Sequence, residues 1–590
     1  MQNKDTCITK NSHANRWRRI RLLHIGILFL LIHMAISAKL IHLGISSSEY
    51  NTQSKEQKRK LISLNRPDLV DRNGELLAID IKAFSLYAEP RHIPHTNVKG
   101  IMDKLSQIDT KIQQNRSVYR NLSGSGGFVW LKRRLSGEKY QKIFSLGIPG
   151  LGFIKENRRF YPGGGLAAHI LGYVNIDNHG LAGIEKYIDT NNKLIERQKL
   201  QVASKNHNEY ARIQRLALDI RVQHVIRDEL SRAMKLYKAK TSVGIMLNAH
   251  TGEVLAMVSL PDFDINTPGK FFADEKYMNR ATASIYEMGS IFKIFNTAMA
   301  IDAGKTKLGK LYTTSRSIQV GHHSIREFRH RKSPLTMQEI FIYSSNTGAV
   351  LMALEAGATT QRSFFAKVGL LDRLDTELPE LRIPRYHSKQ NDIYTATMSF
   401  GHGIAVSPMH VVAAAAATVN GGFYLPPTFF PRSYLEARTI ARRVLKKSTS
   451  DTMLLLFRLC VEQGSCKKAE SVGYHVGGKT GTAEKLKDGK YVKESNFNSF
   501  LAAFPSAFPI EQQRYILLIV LDEPINKETN VADLASNSCA ITASRIISRT
   551  ARMLGVKPML NTSRLPPATE LVSNYELLLD TPALPKRKNN

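Results

Sequence analysis

Ser290-Ile291-Phe292-Lys293 sets a hydroxyl and an amine three residues apart. If Ser290 opens a helix, positions i and i+3 share one face and the amine reaches the hydroxyl. A helix N-terminus also favours negative charge developing there. The apolar neighbours Ile291, Phe292, Ile294 and Phe295 would bury the helix and desolvate Lys293. Burial lowers a lysine pKa, as a lysine acting as general base requires. Taken alone the pattern is common. Ser136-Gly137-Glu138-Lys139 and Ser465-Cys466-Lys467-Lys468 share it, and a surface helix is the better account of an isolated match.

Ser344-Ser345-Asn346 follows 54 residues after Ser290. In a tight loop Ser344 and Asn346 can face one cleft, the hydroxyl to relay a proton and the amide to bind a substrate amide. As an isolated segment it is equally a helix cap or a serine turn. Lys479-Thr480-Gly481-Thr482 lies 135 residues beyond Ser344, after Gly477-Gly478. On an edge strand Lys479 and Gly481 would face one side, and Thr480 and Thr482 the other. Local twist could still bring a threonine hydroxyl toward a carboxylate, and Gly481 would let a substrate backbone approach closely. A glycine-rich hairpin is the alternative for that segment alone.

The surrounding pattern supplies elements to hold these groups. Arg221 to Leu236 carries apolar residues at near-helical spacing. Two apolar runs follow, Val243–Leu247 and Gly252–Val258, which read as a hairpin turning through Asn248–Gly252. Tyr515–Leu521 reads as a buried strand and Ala540–Leu554 as a helix. The fold class expected is α+β, an antiparallel sheet flanked by helices. Upstream, residues 61–200 mix short β-like runs with turns, among them Leu69–Gly74, Phe128–Leu131 and Ala168–Val174.

The chain has 590 residues, 43% hydrophobic and 23% charged, which excludes a wholly disordered chain, a collagen-like fibre and a polytopic membrane protein. Its 83 Lys+Arg against 50 Asp+Glu leave a net charge of +33. Such an excess points to a polyanion, either nucleic acid or an anionic surface. Compartment decides between them. Leu22–Ala38 is almost wholly apolar, and Leu40–Leu43 adds a further turn after Lys39. Six basic residues precede it (Lys4, Lys10, Arg16, Arg18, Arg19 and Arg21) against Asp5 alone. By the positive-inside rule, residues 1–21 form a cytoplasmic tail, 22–43 an uncleaved single-pass anchor, and all that follows is exported. A cleaved signal peptide is the alternative. Residues 44–60 read as a polar linker and 557–590 as a C-terminal tail. Of the four cysteines, Cys460 and Cys466 are close enough for a small disulfide in an oxidising compartment; two unpaired thiols are the alternative. No metal site and no cofactor are expected.

As an ordered set, the three motifs resemble those of the penicillin-recognising serine acyltransferases. Asn279-Arg280-Ala281 with Tyr286-Glu287-Met288-Gly289-Ser290-Ile291-Phe292-Lys293, and Val476–Ala483, are similar to two blocks of class B penicillin-binding proteins. Upstream, Arg66–Ala78, Arg158–Pro162, Ala168–Val174 and Gly180–Glu185 resemble the non-catalytic module of that class. Ser399–Pro408 looks like the division-specific type. The sequence departs from the pattern at Pro67, Met288 and Gly477, and Cys466 stands where glycine is common, yet no reacting group is missing.

The resemblance implies a pedestal at 61–214 and a transpeptidase domain at 215–556. It implies crosslinking of peptidoglycan stem peptides ending in D-Ala-D-Ala, with β-lactams as acylating mimics. Ser290 would be the nucleophile, Lys293 its base and Ser344 the proton relay. Asn346, Lys479, Thr480, Gly481 and Thr482 would bind the donor. The backbone N–H groups of Ser290 and Thr482 would form the oxyanion hole, worth ~2.7–4 kcal/mol per donor in comparable enzymes. The implied setting is the bacterial inner membrane, with the catalytic domain in the periplasm and no nucleic acid. A separate glycan-polymerising glycosyltransferase and other division proteins are implied partners, and the basic surface would face lipid headgroups and wall. The elongation-specific class B enzyme is the nearest rival. A β-lactamase would need a deacylating glutamate, and Glu377 and Glu380 lie in the wrong context.

Overall fold

A computed structural model describes residues 23–24, 26–41, 66–93, 97–113, 122, 127–191, 213–267, 275–328, 333–487, 490–506, 513–526 and 528–559. The expected cytoplasmic tail, the linker, Cys7 and the tail beyond 559 lie outside the described residues. The chain divides into two units, Met1–Arg66 and Pro67–Asn590. In the first, residues 23–24 and 26–41 are helical, and their apolar side chains are exposed, Leu28 and Phe29 among them. No helix among the described residues is long and apolar enough to cross a membrane.

The second unit opens on a five-stranded sheet in the order Val129–Leu135, Leu76–Ala88, Asp68–Val70, Ile213–Arg215, with Leu151–Phe160 also pairing to Leu76–Ala88. The Asp71-Arg72-Asn73-Gly74 segment is a turn held by one buried carboxylate. Asp71 accepts from the Asn73 and Glu75 N–H groups at 2.7 and 2.9 Å, and Gly74 takes the positive φ of +96° that the turn needs. The same carboxylate accepts from the Ile220 N–H at 3.1 Å, at the start of helix Ile220–Tyr237. The motifs Arg158–Pro162 and Gly180–Glu185 meet in a buried network. There Arg159 donates to Glu185 at 2.7 Å, to Asp80 at 3.3 Å and to the Pro67 carbonyl at 2.8 Å.

The larger sheet is antiparallel throughout, in the order Gly477–Lys487, Lys490–Phe504, Tyr515–Asp522, Thr241–Asn248, Val254–Leu260. Tyr515–Leu521 occupies its centre, buried at every residue, which is why it is apolar without alternation. Helices Ile220–Tyr237 and Cys539–Thr550 pack on each other and on the sheet, and so do Pro408–Val419 and Lys447–Glu462. The α+β expectation therefore holds, and Gly477–Lys487 lies at an edge.

Candidate active site

Ser290 sits in a single 3-10 turn, Gly289–Ile291, that runs into helix Phe292–Asp302. Phe292 to Ala300 of this helix are all buried, so Lys293 is carried into the interior with 1% of its surface exposed. Its Nζ lies 3.0 Å from Ser290 Oγ. Ser344 follows helix Met337–Tyr343 in the left-handed region (φ 61°), and Ser345 caps the next helix, Asn346–Ala356, by accepting from the Gly348 N–H at 3.0 Å. This reversal turns Ser344 and Asn346 toward Lys293. Nζ is 2.7 Å from the Ser344 carbonyl, 3.2 Å from Ser344 Oγ and 2.7 Å from Asn346 Oδ1.

The Ser344 carbonyl and Asn346 Oδ1 can only accept, so they take two N–H bonds of the lysine and leave its remaining position facing the Ser290 and Ser344 hydroxyls. The protonation state is set by the electrostatics: burial, then the nearby Lys479 charge, push the Lys293 pKa well below 10.5, against a smaller opposing pull from Glu327.

Lys479 is fully buried, and Thr480 and Thr482 alternate with it as partly exposed residues, as the edge strand requires. Lys479 Nζ donates to Ser344 Oγ at 2.9 Å and to the Thr480 carbonyl at 3.1 Å. Ser344 Oγ therefore lies between two lysines, one on helix Phe292–Asp302 and one on the sheet. Thr480 Oγ1 is 3.3 Å from Ser465 Oγ. Thr482 Oγ1 is 3.5 Å from the Ala535 N–H. The demand for glycine at 481 arises inside the protein: a Cβ there would stand 2.6 Å from the Met288 carbonyl and from Ser499 Oγ. Gly289 answers it across the gap, since its own Cβ would lie 2.8 Å from the Thr482 carbonyl. Two glycines thus let the nucleophile's turn and the edge strand meet backbone to backbone.

The structure brings the eight candidate site residues of the three motifs to one place. Several contributors escaped the sequence reading. Glu327, on the hairpin side of the cleft, accepts from Ser345 Oγ at 2.6 Å, from the Thr347 N–H at 2.6 Å and from Thr347 Oγ1 at 2.8 Å, fixing the Ser344–Asn346 reversal. The Arg326 carbonyl accepts from Asn346 Nδ2 at 3.1 Å, which orients Oδ1 toward Lys293. Glu287 accepts from the Gly403 N–H at 2.8 Å and ties the division-type segment to the nucleophile's turn. No local signal marks Glu327 or the Arg326 carbonyl, because each acts on a partner distant in sequence; Glu287 stands inside the quoted Tyr286–Lys293 block, but its contact with Gly403 does not show there. Met288 is fully buried and caps the 3-10 turn. Glu377 accepts from Thr428 Oγ1 and the Phe429 N–H, and Glu380 from the Gly183 N–H, so both are engaged in structural contacts. Cys460 and Cys466 are free, buried thiols 3.2 Å apart. Among the described residues no cluster of His, Cys, Asp and Glu could hold a metal ion.

Residues 243–539 match the penicillin-binding protein transpeptidase domain and residues 62–210 the penicillin-binding protein dimerisation domain. The chain is 35% identical over 500 residues to a probable peptidoglycan D,D-transpeptidase FtsI of Caulobacter vibrioides, covering 83% of this chain and 82% of that protein. It is 30% identical to a probable peptidoglycan D,D-transpeptidase PenA of Neisseria meningitidis, covering 78% and 80%. A crystal structure of penicillin-binding protein 3 from Mycobacterium tuberculosis, complexed with aztreonam, shares the fold. It has a TM-score of 0.61 at 21% identity and covers 84% of this chain and 98% of that one. With its motifs, its two domains and these relatives together, the chain belongs to the penicillin-binding protein transpeptidases.

Proposed function

We propose that this chain is a division-specific peptidoglycan D,D-transpeptidase that works through a Ser290 acyl-enzyme. The observation that carries the reading is the environment of Lys293, a fully buried amine whose pKa is pushed well down and whose Nζ lies 3.0 Å from the Ser290 hydroxyl. Ser290 Oγ attacks the carbonyl between the two terminal D-alanines of a donor stem, and Lys293 takes its proton. The backbone N–H groups of Ser290 and Thr482 receive the developing oxyanion. Ser344, within reach of both lysines, passes a proton to the departing D-alanine amine. Lys479, Thr480 and Thr482 bind the terminal carboxylate, and Asn346 orients the donor while holding Lys293. An amine from a neighbouring stem then attacks the ester, closes the crosslink and frees Ser290. A β-lactam enters by the same attack, but its leaving group stays tethered.

Ser290→Ala is expected to abolish covalent labelling by a fluorescent penicillin, with wild-type label mapping to the peptide that contains Ser290. Persistent labelling of the variant would overturn the assignment. We also place the chain in the inner membrane with its catalytic domain outside. The support is the exposed apolar helix of residues 26–41 and the basic residues before it. Alkaline carbonate should leave the full chain in the membrane pellet; its release into the supernatant would sink the anchor.

A further inference from the structure

Cys460 and Cys466 take no part in the chemistry above, yet they lie directly behind it. Cys460 sits in the last turn of helix Lys447–Glu462, and the chain then folds back so tightly that the Gly464 and Cys466 N–H groups both donate to the Cys460 carbonyl, at 3.1 and 3.2 Å. A Cβ at Gly464 would stand 2.6 Å from the Ile342 carbonyl and 2.7 Å from the Cys460 carbonyl, so the turn closes against backbone on both sides. The result is two buried sulfurs 3.2 Å apart.

This turn touches both halves of the site. On one side Cys460 Sγ lies 3.8 Å from the carbonyl of Ile342, two residues before Ser344, and the Ser465 N–H donates to the same carbonyl at 3.3 Å. On the other, Ser465 Oγ is 3.3 Å and Cys466 Sγ 3.9 Å from Thr480 Oγ1. The two thiols are also unequal. Burial pushes the Cys466 thiol up, but the hydrogen bond from Cys460, the Lys479 charge and the Ser465 and Thr480 hydroxyls outweigh it and hold it at about 6. Cys460 moves the other way, raised first by the hydrogen bond it donates to Cys466 and then by burial. A thiolate beside a thiol is the pairing that thiol–disulfide exchange uses. Both sulfurs are buried, but the turn around them lies at the surface, with Glu462, Gln463, Ser465 and Lys467 exposed, so local opening of the turn admits an oxidant to Cys466.

We propose that Cys460 and Cys466 form a redox modification site, a disulfide that locks the turn behind Thr480, formed by reaction with a small or protein disulfide. The Cys466 thiolate attacks one sulfur of the oxidant R–S–S–R, forming a mixed disulfide and releasing RS⁻. Cys460 loses its proton to that RS⁻ and attacks Cys466 Sγ, expelling the second sulfur, which leaves as a thiol once it takes a proton from solvent. The two cysteines give up two electrons, and the oxidant becomes two thiols. The bond does not depend on the transpeptidase reading; its effect on acylation does.

The full chain in detergent, reduced and desalted, is incubated with or without glutathione disulfide, and each sample is split between trypsin mapping and benzylpenicillin acylation. Trypsin releases Leu459–Lys467 with both cysteines. The expected result with oxidant is that peptide lighter by two hydrogen atoms, together with acylation about threefold faster than in the reduced form, because a pinned Thr480 is held nearer its working geometry. A Cys460→Ser/Cys466→Ser double variant should acylate at the reduced rate in both conditions. An unshifted peptide overturns the proposal, and so does a shifted peptide with equal rates. Absent acylation in every sample strikes the transpeptidase reading instead, while the peptide mass still decides whether the bond forms.

Discussion

At the scale of single residues, the site is organised by where Lys293 can put its hydrogens. Two acceptors that cannot donate, the Ser344 carbonyl and Asn346 Oδ1, both stand 2.7 Å from Nζ and leave its remaining position to the Ser290 and Ser344 hydroxyls. Protonation would set a buried cation near the Lys479 charge, which is why the pKa falls. The sign of the pH dependence follows: the working form is the neutral one, so acylation should rise with pH through the lowered pKa of Lys293 and level off well below 10.5. Stopped-flow acylation by a chromogenic cephalosporin would trace this limb, and a rate that keeps climbing toward pH 10.5 would refute it. Lys293→Arg should cost at least ~10³-fold in acylation, because a guanidinium stays charged and cannot serve as base. Much of this was legible from residue types and spacing. The role of Asn346 as an anchor for the lysine was not, because it depends on the Arg326 carbonyl holding the amide in one orientation.

At the scale of elements, the site depends on how closely the Gly289–Ile291 turn meets the edge strand Gly477–Lys487. Gly481 and Gly289 each face backbone of the other element at a distance no Cβ tolerates. Gly481→Ala should therefore separate the two elements and slow acylation at least ~10-fold even where the protein still folds, since a small displacement of reacting groups is costly. An unchanged rate in a folded variant would show that the close approach is dispensable. The strand, its edge position and its alternation were readable from the motif and its glycines. The partner of Gly481 was not: sequence reading assigned that open space to substrate, whereas Met288 of the nucleophile's turn fills it. The Ser344 reversal likewise depends on Glu327, whose position next to it is set by the hairpin Ser317–Val320 and His323–Arg326.

At the scale of the whole molecule, the non-catalytic module is joined to the catalytic one through buried polar contacts rather than a loose hinge. Asp71 ties the first turn of the small sheet to the first helix of the large domain, and Glu380 of the large domain accepts from the Gly183 N–H of the small one. Beside them, Arg159, Asp80 and Glu185 form a network whose side chains are at most 2% exposed. Arg159→Met would remove the buried cation that contacts both carboxylates. It should destabilise the chain by about 3–5 kcal/mol, visible as a lowered thermal midpoint; a midpoint equal to the wild type's would mean the network is not holding the module together. The positive charge first suggested a polyanion in general. On the proposed export of the catalytic domain, that charge would face lipid headgroups and cell wall.

Local spacing and short contiguous motifs suffice for the candidate reacting groups, the α+β class, the central apolar strand and the family. Tertiary structure alone decided which groups orient the reacting ones. Glu327, the Arg326 carbonyl, Met288 and the Cys460–Cys466 turn act across tens to hundreds of residues. Contacts of that kind leave no periodicity to read, because they exist only once the sheet and the helices packed against it have closed around Lys293.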